Sequence, residues 1–301
     1  MALIRVACAV CGGTSFRLRY PGAIVDGQRR VEAYFGTSRE SADYLPVVRC
    51  DVCGLMMANP QDDPRTLAAV YRAHVDSAYD EEQDNRRRAA HDYLAVVRKY
   101  AGPKGRMLDV GCGTGTFVCA AREQGWAAEG LDPCEWMIAR ARSRCPSATF
   151  HVGDPTSLAF EPGALHAVTL WNVLEHVPSP AAMLRQARSW LGPEGRLFLR
   201  VPNGRSVVAR LMGPRWVLLV REHLWYFSPG TIERLLGAEG FDVVAVRWAT
   251  HPASIGNVLR RAAQYRSRAS AWAEALGRSR RLGGIRLRLP IGEMDVVARP
   301  R

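Results

Sequence analysis

Met107-Leu108-Asp109-Val110-Gly111-Cys112-Gly113-Thr114-Gly115 is an apolar run that breaks into three glycines at alternate positions. The run reads as a buried parallel strand, and the glycines force a tight turn into a helix that begins near Thr116. Glycine permits positive φ there and leaves main-chain N–H groups unscreened by a Cβ. The spacing is not the Gly-x-Gly-x-x-Gly of dinucleotide sites, and an ordinary strand-to-helix turn would also accept it. Further along, Trp126 leads into Ala127-Ala128-Glu129-Gly130-Leu131-Asp132-Pro133. This is a second strand ending in an acid about 20 residues after the turn, the offset at which a carboxylate accepts hydrogen bonds from ribose hydroxyls. The pair of features points to an adenosine site.

A third strand, Ala148 to Val152, ends in Gly153-Asp154, and a fourth, Ala164 to Leu170, runs into Trp171-Asn172-Val173-Leu174-Glu175-His176-Val177-Pro178. A fifth, Gly195 to Val201, closes with Pro202-Asn203; Val243 to Trp248 and Met294 to Ala298 read as the last two. Strands alternating with helices predict an α/β class chain with a doubly wound, Rossmann-like sheet. With its motifs falling in order at strand ends, the stretch from about 83 to 250 resembles the class I S-adenosylmethionine-dependent methyltransferases. The resemblance implies that the cofactor's methionine end sits over Gly111, Gly113 and Gly115, where amides and the positive helix end favour negative charge. It also implies that Asp109 orients the turn and attracts the cofactor's ammonium, that Asp132 takes the ribose diol, and that Asp154 accepts from the adenine amino group. Asn172, at the exit of the fourth strand, completes the cofactor set. Leu131, Pro133 and Trp136 could wall the adenine, although Trp136 suits an ordinary core position equally.

At 301 residues the chain can hold one large core or two unequal domains, and 48% hydrophobic content supports a packed globule. No run approaches the ~18 apolar residues of a membrane span, and no basic-then-apolar signal segment opens the chain. A cytoplasmic protein is the expectation. In that compartment its eight cysteines should be thiols or metal ligands. Cys8-Ala-Val-Cys11 and Cys50-Asp-Val-Cys53, each followed by glycine, are two knuckles supplying the four soft ligands of a closed structural zinc site. A redox role is disfavoured because neither pair opens a helix in a βαβ pattern. Cys112, Cys119, Cys134 and Cys145 are dispersed and read as core thiols. Residues 1–60 are therefore expected to form a zinc ribbon and 61–301 the methyltransferase domain. Two knuckles and Gly-Leu ahead of such a domain look like a bacterial group of sugar, polysaccharide and natural-product enzymes. The longer deoxysugar C-methyltransferases share part of that layout but carry a further domain for which this chain lacks the length.

Helical spacing over Pro64 to Val75 and Gln83 to Tyr100 predicts two helices ahead of the first sheet strand, with Tyr71 and Tyr79 as candidate lid aromatics or plain packing residues. Pro180 to Leu191 and Thr231 to Glu239 predict two more. Glu175 and His176 fall at the switch region where open α/β sheets bind ligands; Glu175 could otherwise cap backbone N–H groups and His176 pack under the turn. Residues 204–227 form an insertion rich in aromatics, and its end, His223-Leu224-Trp225-Tyr226-Phe227-Ser228-Pro229, matches a His-Leu-x-x-Phe-Ser-Pro string found at this place in the resembling group. It reads as an acceptor lid. His223 is the preferred general base and His176 the second candidate, while a histidine that only holds the lid to backbone is the bland reading. A second insertion, about 252–291, carries nine arginines against one glutamate, +8 of the total charge of +12. Such a run attracts phosphates or forms a solvated helix face. The expected activity is methyl transfer from S-adenosylmethionine to a small-molecule acceptor: a sugar, a nucleotide-sugar or a secondary metabolite. An RNA or protein methyltransferase using the basic run is the alternative, and a non-catalytic cofactor-binding module the third. The acceptor, the atom methylated and the oligomeric state are not legible in the sequence.

Overall fold

The computed structural model describes residues 3–22, 44–73, 75, 83–155, 158, 160–254 and 286–301. Tyr79 and seven of the nine arginines of the basic run (Arg260 to Arg281) lie outside the described residues. The N-terminal unit contains β1 (Leu3–Ile4), β2 (Phe16–Tyr20), β3 (Val47–Cys50), β4 (Met56–Ala58) and β5 (Gln61–Asp62). Two helices follow, α1 (Pro64–Arg72) and α2 (Gln83–Tyr100). Asp63 caps α1 by accepting from the Arg65 and Thr66 amides at 3.0 and 3.1 Å, and Pro64, with no N–H to satisfy, occupies the first turn. Helix α2 spans the expected residues, burying Ala89, Ala90, Leu94, Val96 and Val97.

The strands and helices of the second unit then alternate: β6 (Arg106–Val110), α3 (Thr116–Glu123), β7 (Ala127–Asp132), α4 (Glu135–Arg144), β8 (Thr149–Val152), β9 (Leu165–Trp171), α5 (Pro180–Trp190) and β10 (Leu191–Pro202). After α6 (Val207–Met212) come β11 (Trp225–Tyr226), α7 (Pro229–Ala238), β12 (Phe241–Ser254) and β13 (Arg286–Pro300). The seven-stranded sheet has the order β12-β13-β10-β9-β6-β7-β8. Strands β8, β7, β6, β9 and β10 run parallel, and β13 pairs antiparallel with both β10 and β12. A parallel sheet covered by helices on both faces requires near-continuous apolar strands, and Met107, Leu108, Ala167, Val168, Leu170, Leu197 and Leu199 are all fully buried. The order reverses at β6, which has β7 on one side and β9 on the other, so the ligand crevice falls at the carboxyl ends of these strands.

Residues 204–227 pack as a strap between the N-terminal unit and the seven-stranded sheet. Trp225 and Tyr226 pair antiparallel with Met57 and Met56, so β11 completes a four-stranded sheet of order β11-β4-β3-β2 with the N-terminal unit. Trp225, Tyr226 and Phe227 are buried, each aromatic removing roughly 150–250 Å² from water. The Arg221 guanidinium meets the fully buried Asp62 carboxylate through two contacts at 2.9 and 3.0 Å. Backbone bonds from Ala58 N to Leu224 O (2.9 Å) and Leu224 N to Glu175 O (2.8 Å) tie this strap to both units. Apolar aromatics in a segment with a free backbone edge are better satisfied by joining a sheet than by facing water. No described helix is long and apolar enough to cross a membrane.

Candidate active site

The glycine turn at the end of β6 works first by close approach. Gly111 sits at φ +72°, and a Cβ there would lie 2.5 Å from Val173 Cγ2 on the exit of β9. Gly115, at φ +74°, opens α3, and its Cβ would lie 2.7 Å from the Phe150 ring on β8. Several turn amides are already engaged: Gly111 and Cys112 donate to Leu131 O at 2.7 and 3.0 Å, and Gly113 donates to Asp132 Oδ2 at 2.9 Å. The turn is thereby locked to the end of β7, which brings Asp132 beside it as the sequence spacing implies.

Asp132 also accepts from the Cys134 amide at 2.9 Å. A carboxylate oxygen has two lone pairs, so each oxygen keeps capacity for a ribose hydroxyl. Burial raises the Asp132 pKa, and the two amides oppose that shift. Asp109, buried beneath the turn, is pushed up to about 7 by desolvation, with the 2.6 Å hydrogen bond from Thr169 Oγ1 pulling the other way. At neutral pH it is poised between charged and neutral forms, and a neighbouring cation would favour the charged one. Asp154, just past β8, is exposed at the rim. Asn172 adopts φ +57° at the exit of β9; its amide nitrogen donates to Glu293 Oε1 at 2.7 Å and its carbonyl accepts from Tyr93 at 3.3 Å. Glycine turn, Asp109, Asp132 and Asn172 thus lie at the carboxyl ends of the central strands β6, β7 and β9, an arrangement of close backbone and carboxylates that fits an adenosine bearing a cationic methionine end.

His176 and His223 meet with ring centroids 4.7 Å apart. The His176 Nδ1 lies 3.0 Å from Glu222 O and 2.8 Å from the Tyr71 hydroxyl, and the His223 Nδ1 lies 2.8 Å from Leu218 O. A carbonyl oxygen only accepts, so Nδ1 carries the proton in each ring and Nε2 the lone pair. Burial lowers the His176 pKa to about 4, keeping the imidazole neutral at physiological pH. Glu175 is fully buried; its own backbone N–H and the Asn172 side chain approach the carboxylate, neither within hydrogen-bond geometry, and its main-chain carbonyl receives the strap. Desolvation holds its pKa well above the usual carboxylate range. Tyr71 reaches the site from α1 as a hydrogen-bond partner of His176.

Behind these groups lies a network that local sequence patterns do not announce. Arg200 on β10 forms a bidentate pair with Asp295 on β13 at 2.6 and 3.0 Å and lies 4.5 Å over the Tyr93 ring. Tyr93 stacks on Trp171 at 4.3 Å, and the buried Glu293 holds Asn172. Glu293 pairs with Pro202 through the β10–β13 register, a contact between segments 91 positions apart. Only knowing that β13 folds back along β10 would have found it.

At the far end of the N-terminal unit, Cys8, Cys11, Cys50 and Cys53 place all four sulfurs within 4.8 Å of one another. Cys8 and Cys53 are 3.4 Å apart and Cys11 and Cys50 3.5 Å, too long for disulfides and close to the ~3.8 Å edge of a tetrahedron with ~2.3 Å metal–sulfur bonds. Backbone bonds from Gly12 N to Cys8 O and Gly54 N to Cys50 O shape the two knuckles. The chemistry and spacing of this donor set fit zinc.

A family model described as a methyltransferase domain matches residues 81–246. A ubiquinone biosynthesis O-methyltransferase of Xanthomonas campestris is 37% identical over 137 residues, covering 40% of this chain and 56% of that protein. The chain thus spans about half the length of the curated relatives it matches. Among solved structures, a methyltransferase of Thermotoga maritima described as a possible histamine N-methyltransferase superposes with a TM-score of 0.53 at 17% identity, covering 78% of this chain and all of that one. The magnesium protoporphyrin IX methyltransferase of Synechocystis, solved with bound SAH, gives 0.51 at 15% identity, covering 79% and 100%. At such identities the likeness carries the fold.

Proposed function

Because the chain belongs to the methyltransferase-domain family, matched over more than half its length, we propose that it transfers the methyl group of S-adenosylmethionine to a hydroxyl of a small-molecule acceptor. The observations that carry this reading are the glycine turn bonded to Asp132 and, on the β9 exit that Gly111 meets at Val173, the His176–His223 pair 4.7 Å apart. The cofactor supplies a methyl already activated by its sulfonium charge, so the protein's work is positioning. Gly111, Gly113 and Gly115 admit the methionine end, Asp109 faces its ammonium, Asp132 accepts from the ribose diol, and Asp154 and Asn172 border the adenine and methionine ends.

A hydroxyl acceptor must lose its proton near the transition state, and His223, with its lone pair on Nε2, stands on the strap side where the acceptor enters. The oxygen then forms its bond to the methyl carbon as the carbon–sulfur bond breaks and its electron pair returns to sulfur. The oxygen acceptor is supported by a relative named as an O-methyltransferase, and sugars, nucleotide-sugars and secondary metabolites are the classes to try. Cys8, Cys11, Cys50 and Cys53 would hold a structural Zn²⁺ that fixes the sheet onto which the strap is paired.

The test is transfer of labelled methyl from S-adenosylmethionine to a panel of hydroxylated sugars and phenols. Product formation that falls ~10²–10⁴-fold in kcat with His223→Ala, cofactor affinity unchanged, supports the reading. The nine arginines between residues 252 and 291 favour RNA as a second acceptor class. Labelled RNA together with a steep inverse dependence of rate on salt would replace the small-molecule reading.

A further inference from the structure

We propose that Glu175, His176 and His223 form a second metal centre, separate from the four cysteines, that takes a divalent transition-metal cation and presents it to the acceptor's oxygen. One donor atom from each residue lies within 4.8 Å of the other two. Both imidazoles point Nδ1 at a backbone carbonyl, Leu218 O for His223 and Glu222 O for His176. This is how metal-bound histidines are held: the carbonyl fixes the tautomer and turns the Nε2 lone pair toward the ion. Glu175 supplies the negative charge. Its side chain has no exposure to water, and although its own backbone N–H and the Asn172 side chain stand close by, neither oxygen has a hydrogen bond of full geometry, an arrangement that costs folding free energy. The nearest basic nitrogen, His176 Nε2, stands 3.9 Å from Oε1, beyond hydrogen-bond range. A cation bound at ~2.0–2.2 Å from nitrogen and oxygen donors needs those donors ~3–3.5 Å apart, so a pair at the 4.8 Å limit closes by about 1.3–1.8 Å on binding.

The three donors come from two segments already bound together. Glu175 and His176 sit on the exit of β9, His223 on the strap, and the Leu224 amide donates to Glu175 O at 2.8 Å. Two imidazoles and one carboxylate suit divalent first-row cations, borderline Zn²⁺, Fe²⁺ or Co²⁺ and the harder Mn²⁺, and leave coordination positions open. The acceptor's hydroxyl would enter one of them. There the cation makes the hydroxyl more acidic, its proton passes to solvent, and the oxygen attacks the methyl carbon while the carbon–sulfur electron pair goes to sulfur. This inference rests on the O-methyl reading of the site, and it makes His223 a metal ligand, with proton loss promoted by the bound cation where the proposed function had His223 as the base.

Mn²⁺ tests it, because oxygen and nitrogen donors suit it and thiolates do not, so it reports on this site with the cysteine site left loaded. Titration of the full-length zinc-loaded protein, followed by the electron paramagnetic resonance of free Mn²⁺, should show one bound ion per chain, displaced by added Zn²⁺. Glu175→Gln and His223→Gln should each weaken binding at least tenfold, with unchanged circular dichroism and S-adenosylmethionine affinity. Wild-type protein that binds no Mn²⁺ and holds zinc only in the equivalent removed by Cys8→Ser overturns the proposal, as does Glu175→Gln binding Mn²⁺ like the wild type. The wild-type titration decides even where a variant fails to fold. Metal binding with no methyl transfer to any hydroxyl would leave this centre standing and refute the O-methyl reading; full transfer by protein that binds no Mn²⁺ would do the reverse.

Discussion

Replacing Gly111 with alanine isolates what the glycine turn does. The added Cβ meets two separate penalties. At φ +72° an L side chain lies in the left-handed region, at a cost of ~1–2 kcal/mol. The same Cβ would stand 2.5 Å from Val173 Cγ2, well inside the ~3.5–4.0 Å of an ordinary carbon contact, and overpacking of this kind costs ~1–3 kcal/mol. Gly111→Ala is therefore expected to lose about 2–5 kcal/mol in urea unfolding followed by circular dichroism. Adding Val173→Ala removes the clashing methyl and leaves the backbone cost, so the double mutant should recover ~1–2 kcal/mol beyond additivity. Cofactor affinity, measured by calorimetry, should fall and partly return in the same order, because the turn and the β9 exit move together. Strict additivity of the two changes, or a Gly111→Ala protein within ~0.5 kcal/mol of wild type, would refute close approach as the reason for glycine.

Cys8→Ser should lower the zinc content by one equivalent in elemental analysis and loosen the N-terminal unit, while the distant glycine turn retains its cofactor. Asp109 titrates upward from the ordinary ~3.9 to about 7 on folding. The folded form thus holds a proton that the unfolded chain releases, and this contribution is full below pH ~3.9 and lost as pH rises through about 7. Asp109→Asn should flatten that part of the stability profile in pH-dependent thermal unfolding; an unchanged profile would mean that another group is responsible. Asp62→Ala leaves Arg221 nearly buried without its carboxylate and should cost ~3–5 kcal/mol in chemical denaturation, against little effect if the strap were a loosely held lid.

Strand-to-turn junctions were legible because one local cause shaped each of them. Glycines at 111, 113 and 115 break an apolar run, Asp132 closes the next one, and Pro64 and Pro180 open helices where the sequence places them; α7 opens at Pro229, ahead of the expected Thr231, because Ser228 caps it. The knuckles were legible for the same reason, each being a turn four residues long. What escaped depends on distant pairing. Strand β10 starts at Leu191, earlier than Gly195, because it finds a partner in Leu165 across the end of β9. The aromatics of β11 look like a lid until Met56 and Met57 are seen beside them. Glu175, His176 and His223 are visible as separate candidates in the sequence. Their convergence, and the carbonyls that set both imidazole tautomers, follow only from the strap crossing the exit of β9.

Calorimetric titration with S-adenosylmethionine, S-adenosylhomocysteine and NAD, on the wild type and Asp132→Ala, tests the central claim most directly. The account predicts that the two adenosyl compounds bind the wild type with affinities of micromolar order. It further predicts that Asp132→Ala weakens both by about 1–3 kcal/mol as the ribose hydroxyls lose a charged acceptor. Binding of NAD with no binding of S-adenosylmethionine would contradict the assignment of the glycine turn and of the chemistry built upon it.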